Sequence, residues 1–175
     1  MDTEKPRLFE DCEIGTAADP HVRRLSLDRP AKRDTKTKGD ASEMRVILAL
    51  VEAGYAISLP FGENHRYDLI ADDGSRLLRV QVKTGRLRGG VIKYSCSSSH
   101  AHRGGYRRSY FGEVELLAVY CPDTRKVYLL PESQFVATQS HMRVQPPKNN
   151  IKKGIRWAQH FELAQVVVRP DLPEG

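Results

Sequence analysis

Residues 66–85, RYDLIADDGSRLLRVQVKTG, decide the fold of this chain. In the second half, Leu78, Val80 and Val82 alternate with Arg79, Gln81 and Lys83. That period of two marks a strand with one face in a core. RYDLIA reads as a partner strand, and DDG between the two is a strong turn signal, so the stretch is a hairpin. With Asp73–Gly74 as the loop, Asp68 opposes Arg79 and shares a face with Gln81 and Lys83. A loop one residue longer or shorter would reverse that parity. A polar face of this kind is either solvated or a site.

Outward from the hairpin, DASEMRVILALVEAGY (40–55) reads as a helix. Asp40 and Glu43 have capping-box spacing, Met44, Ile47, Leu48 and Val51 form the apolar stripe, and Gly54 suits the C-terminal turn. Glu43 then leans toward the buried side, one turn before Ile47. YAISLPFG is a short strand. VELLAVYCP and KVYLLPE are two more, joined through CPDTRK, and IKKGIRWAQHFEL (151–163) reads as a closing amphipathic helix with Ile151, Ile155, Ala158 and Phe161 on one stripe. The pattern predicts an α/β or α+β domain with a mixed central sheet over residues 38–165. Residues 1–37, broken by Pro6, Pro20 and Pro30, read as a partly disordered extension, and 166–175 as a tail.

Composition limits the function. The 175 residues are 39% hydrophobic and 29% charged, and no apolar run approaches the roughly 18 residues of a membrane span. The N-terminus has no basic start leading into an apolar stretch, and Cys12, Cys96 and Cys121 form no CxxC pair. A cytoplasmic protein with reduced thiols is expected. The net charge of +6 is concentrated: Thr84 to Gly112 holds Arg86, Arg88, Lys93, Arg103, Arg107 and Arg108 and no acid. The other 22 Lys and Arg equal the 22 Asp and Glu, so this segment carries the whole excess. Such a cluster is the footprint of polyanion binding, and DNA is the expected partner.

Asp68, Gln81 and Lys83 on one face, with Glu43 approaching from the helix, are the parts of metal-assisted hydrolysis. Two carboxylates and an amide oxygen are hard ligands suited to Mg²⁺ or Mn²⁺. A lysine beside them can orient a nucleophile and offset transition-state charge.

These residues also resemble the PD-(D/E)XK nuclease superfamily, most closely the group I intron-associated homing endonuclease type. The likeness rests on HRYDLIADDGSRLLRVQVKTGR, YFGEVELLAVYCPDTRKVYLLP and KNNIKKGIRWAQHFEL, and runs from Lys38 to Leu163. It implies a restriction-endonuclease-like αβββαβ core, a mixed sheet flanked by helices, and divalent-metal-dependent cleavage of DNA. Asp68, Gln81 and Lys83 match the motif positions, and Glu43 the helix glutamate. Two positions depart from the pattern. Tyr67 stands in place of the motif proline, and Gln81 in place of an acid, as in the homing-endonuclease branch. Pro122-Asp123 and Pro170-Asp171 are decoys, because neither precedes a strand with a paired acid and lysine.

Other residues have competing readings. Arg79 touches phosphate or pairs with Asp72 or Asp73. His65 and Arg66 read as loop or backbone contacts, Glu113 as a cap or salt-bridge partner, Trp157 as core. His100 and His102 lack nearby ligands for zinc. Duplex cleavage by one small domain suggests a homodimer or homotetramer. Competing functions are a catalytically inactive DNA-binding protein, favoured by Gln81, and a branched-DNA (Holliday junction) resolvase.

Overall fold

The computed structural model describes residues 35–62, 64–99, 107–147 and 153–166. The N-terminal extension up to residue 34, Arg103, His100, His102, Asn149, Asn150, Ile151 and the tail from residue 167 lie outside the described residues.

The chain opens with helix α1, Thr35–Glu52, five residues earlier than the sequence suggests. Its first seven residues are all exposed, so no apolar stripe announces them. Asp40 therefore lies inside the helix and does not cap it. The buried stripe also differs from expectation: Ser42, Val46 and Leu50 face the sheet, while Met44, Leu48 and Val51 are exposed. Two apolar stripes compete on this helix, and the one with small residues wins. Ser42, Ala49 and Ala53 let the backbone approach the sheet, and the Ser42 hydroxyl lies 2.6 Å from that of Thr84. The helix ends as the sequence suggests. Gly54 has φ +92, and the N–H groups of Gly54 and Tyr55 return to the carbonyls of Val51 and Leu50.

Strands β1 (Ala56–Ser58), β2 (Leu69–Asp72) and β3 (Leu77–Thr84) follow. Next come β4 (Arg86–Arg88), β5 (Val91–Ser95), β6 (Ser97–Ser99), β7 (Arg107–Ser109), β8 (Leu116–Cys121), β9 (Lys126–Pro131) and β10 (Gln139–Arg143). The main sheet has the order β1-β2-β3-β8-β9, with β3 and β8 parallel and the other pairs antiparallel. This is the expected mixed sheet of an α+β domain. Val80, Val82, Ala118 and Leu129 face α1. On the opposite face, Leu117, Val119 and Leu130 pack against Ile92, Tyr94 and Met142 of a second sheet, β10-β5-β4.

That second sheet is a departure. The segment after Thr84 reads as a basic loop region, and an αβββαβ core places a helix before the next strand of the main sheet. Among the described residues, the link from β3 to β8 contains strands and no helix. Two glycines make this possible. Gly89 and Gly90, both at positive φ, are the two loop residues between Arg88 and its partner Val91. At Gly85, a Cβ would lie 2.7 Å from Ile92 Cγ2 and 3.0 Å from Val119 Cγ1, so only glycine passes between the two sheets.

The closing amphipathic helix does not form. Residues 153–166 hold one 3₁₀ turn, Ala158–Phe161, and the single-turn helix α2, Leu163–Val166. Gly154 at φ +69 interrupts the periodic stripe. The segment runs beside the sheets, with bridges Arg143–Trp157 and Tyr128–Glu162, and Trp157 is half-buried rather than core. Among the described residues no helix is long and apolar enough to cross a membrane.

Candidate active site

The site begins with the β2–β3 turn. Leu69 pairs with Val80 and Asp72 with Leu77, leaving a four-residue loop, Asp73–Arg76, instead of two. Asp side chains explain the difference. Asp73 accepts the N–H groups of Ser75 (2.9 Å) and Arg76 (2.8 Å), and Asp72 accepts that of Gly74 (2.8 Å). The register therefore slides by two residues, and Asp68 meets Gln81 rather than Arg79. A slide of two preserves the face, so Asp68, Gln81 and Lys83 still point the same way.

Asp68 is held firmly. Its Oδ2 accepts the Val82 N–H at 2.6 Å and a short hydrogen bond from the Gln81 amide nitrogen. Its own N–H donates to the Val80 carbonyl at 2.9 Å. Gln81 is only 7% exposed. A carboxylate only accepts, so the Gln81 NH₂ faces Asp68 and its carbonyl oxygen faces elsewhere.

Glu43 and Asp68 line the same open cleft of about 290 Å³, with Leu59, Pro60, Asn64 and Tyr67. Burial first, then the charges of Asp68 and Asp40, push the Glu43 carboxyl above its ordinary range. A cation would offset the Asp68 charge that opposes ionisation of Glu43. Among the described residues no group of three His, Cys, Asp or Glu converges, so a metal would rely on these two carboxylates and on neutral oxygens such as the Gln81 amide. Hard, mostly anionic donors at a cleft with room for water fit Mg²⁺ or Mn²⁺.

Lys83 follows Gln81 by one period on the same face. Its Nζ lies 4.9 Å from the centroid of the Tyr110 ring, an attractive placement for an ammonium. Among the described residues Lys83 makes no salt bridge, so its charge is not neutralised.

Arg66 anchors the approach to Asp68. It donates to Glu113 Oε2 (2.5 Å), Ser98 Oγ (2.8 Å) and the Ser109 carbonyl (2.8 Å), and lies 4.6 Å from the Tyr110 centroid. Glu113 also accepts from Arg108. Burial pushes the Glu113 carboxyl up, but the two guanidiniums outweigh it and hold it below the carboxylate range. The salt-bridge reading of Glu113 is therefore met, and Arg66 is more than a loop contact.

Arg79 pairs with neither Asp72 nor Asp73. It binds Glu115, with Nη2–Oε1 at 2.5 Å, and its N–H donates to the same carboxylate at 2.6 Å. Glu115 has no sequence signal, because its partner is 36 residues away. The basic segment separates into two places. Arg86, Arg88 and Lys93 sit exposed on β4 and β5, while Arg107 and Arg108 sit on β7 in a different two-stranded sheet. Tyr94 and Tyr110 are core, whereas Phe111 is half exposed.

A family model described as PD-(D/E)XK endonuclease matches residues 33–164. The chain belongs to the PD-(D/E)XK endonuclease family. Nucleases of this family act on DNA and generally use divalent metals. Among solved structures, the chain is similar to the bacterial homing endonuclease I-Ssp6803I, with a TM-score of 0.63 and 23% identity over 77% of this chain and 93% of that one. At that identity the likeness concerns the fold. No curated protein matches the chain.

Proposed function

We propose that this PD-(D/E)XK family member is a divalent-metal-dependent endodeoxyribonuclease acting in the cytoplasm. The observation that supports it is Asp68 and Glu43 lining one cleft, with Gln81 bonded to Asp68 and Lys83 on the same strand face. Asp68 and Glu43 would hold Mg²⁺ or Mn²⁺, with the Gln81 carbonyl as a neutral third donor. Such a metal supplies Lewis-acid polarisation of phosphate and a lowered pKa for water. The chain's own residues do the rest. Gln81 and the Val82 N–H fix the orientation of Asp68. Lys83, unpaired among the described residues, orients the attacking water and offsets charge on the phosphate. Arg86, Arg88, Lys93, Arg103, Arg107 and Arg108 supply phosphate contacts, and Arg79 contributes less because Glu115 neutralises it. A homodimer or homotetramer would place two such clefts on opposite strands.

The neutral amide at Gln81 favours one other reading, a DNA-binding protein without catalysis. The deciding assay is cleavage of supercoiled plasmid, linear duplex and four-way junctions with Mg²⁺ or Mn²⁺. Cleavage is expected, and Lys83→Ala and Asp68→Ala abolish it. Cleavage surviving both substitutions rejects this site. Salt-sensitive binding without any cut supports the inactive reading, and preference for junctions marks a resolvase.

A further inference from the structure

The second sheet has a face that the catalytic cleft does not use. Ile92, Tyr94 and Met142 turn inward to the core, so the alternate residues point outward. The registers align these into two rows across β4, β5 and β10. Arg86 opposes Lys93, which opposes His141; Arg88 opposes Val91, which opposes Arg143. Arg86, Arg88, Lys93 and His141 are exposed, and Arg143 is half-buried. Ser95 and Gln139 extend the face, and none of these outward strand residues is acidic; the Asp123 carboxylate reaches the β4 edge, where it accepts the Leu87 N–H at 3.0 Å.

Like charges directly opposite on neighbouring strands repel. Here Arg86 and Lys93 are cross-strand partners and form no salt bridge among the described residues, while the Asp123 carboxylate at the β4 edge accepts the Leu87 N–H; the remaining repulsion is a cost that a polyanion removes. Three strands span about 10 Å between the outer two, and residues two apart along a strand are about 7 Å apart. Those dimensions suit a major groove about 12 Å wide with a phosphate backbone on either side.

We infer that this outward face of β4, β5 and β10 is a docking surface for duplex DNA, separate from the Asp68–Lys83 cleft and completed by Arg143 and His141. It lies on the far side of its sheet from the apolar layer that covers the Gln81 face. The inference rests on the reading of this chain as a nuclease that acts on DNA, and it extends the contacts beyond the cleft.

The test measures binding of a fluorescent 30-base-pair duplex to the full chain in EDTA, across a salt series, so that cleavage plays no part. The variants are Arg86→Gln/Lys93→Gln/Arg143→Gln and, separately, Arg86→Lys/Arg143→Lys. The glutamine variant should flatten the log–log salt slope by about 2–3 and weaken binding at 0.1 M salt on the order of a hundredfold. The lysine variant should keep the slope, and both should remain folded in a thermal melt, because Arg86 and Lys93 are exposed and Arg143 is only half-buried. An unchanged slope in the folded glutamine variant overturns the inference. So does loss of binding to anionic phosphatidylserine vesicles with DNA affinity intact. Because no metal is present, failure of the catalytic reading alone leaves this result standing.

Discussion

Replacing Gln81 by glutamate tests why an amide occupies this position. In the native chain the Gln81 NH₂ donates to Asp68 Oδ2, and Gln81 is 7% exposed. Gln81→Glu removes that donor and sets a second carboxylate against the first. Two unit charges about 4 Å apart repel by about 4 kcal/mol at an effective dielectric of 20. Protonation sets a ceiling, because a protonated carboxyl regains a donor and restores the hydrogen bond. With a reference pKa of about 4.3 for glutamate, taking up that proton at pH 7 costs about 3.7 kcal/mol. At pH 5 it costs only about 1 kcal/mol. Urea unfolding in EDTA should therefore show the variant about 3–4 kcal/mol less stable than the parent at pH 7 and about 1 kcal/mol less at pH 5. Added Mg²⁺ should narrow the gap at pH 7, since the introduced charge is then a ligand. A penalty under about 1 kcal/mol at pH 7, or one that does not shrink at pH 5, would refute the assignment of Gln81 as the donor that holds Asp68.

Glu43 gives a pH signature of its own. Its folded pKa is raised, so its contribution is present below the unfolded value and lost as pH rises through the folded one. Glu43→Gln should thus stabilise the metal-free protein at pH 7 to 8 and make no difference by pH 4; a stabilisation that grows on acidification contradicts the burial and charge argument. Arg66→Met should cost about 3 kcal/mol in urea unfolding, because the mostly buried Glu113 then keeps Arg108 as its one ion-pair partner among the described residues. A loss below about 1 kcal/mol would mean that the arginine is not the anchor of the Asp68 approach. Gly85→Ala should destabilise by about 1–3 kcal/mol through overpacking against Ile92 and Val119, and Gly85→Ala/Ile92→Val should recover part of it.

The legible parts of this chain are those whose cause is local. Alternation along Leu77–Thr84, the Gly54 turn and the two strands around CPDTRK depend on neighbours within a few residues, and each appears in the structure. The shared face of Asp68, Gln81 and Lys83 was also readable, although for a register two residues off, because side-chain parity repeats every two residues. What was not legible depended on distant partners. Met44, Leu48 and Val51 form as good a stripe as Ser42, Val46 and Leu50, and the choice between them lies with the sheet and Thr84. Glu115 shows no reason in sequence to claim Arg79. The strands β4 and β5 did have a signal, the Gly89-Gly90 pair between short runs, but density of charge made the segment look like a loop. The final segment failed for the opposite reason: periodic residues were present, and Gly154 broke the helix they implied.

The parallel pairing of β3 with β8 has a consequence for how the chain is made. Val80 neighbours Leu116 and Thr84 neighbours Tyr120, so the strand that carries Gln81 and Lys83 must wait for sequence 36 positions downstream. During synthesis the β2–β3 hairpin emerges before β8, with the other backbone edge of β3 unpaired. Such a side recruits other strands, including those of neighbouring nascent chains. Charged side chains on an open edge strand disfavour such pairing, and β3 carries Arg79 and Lys83.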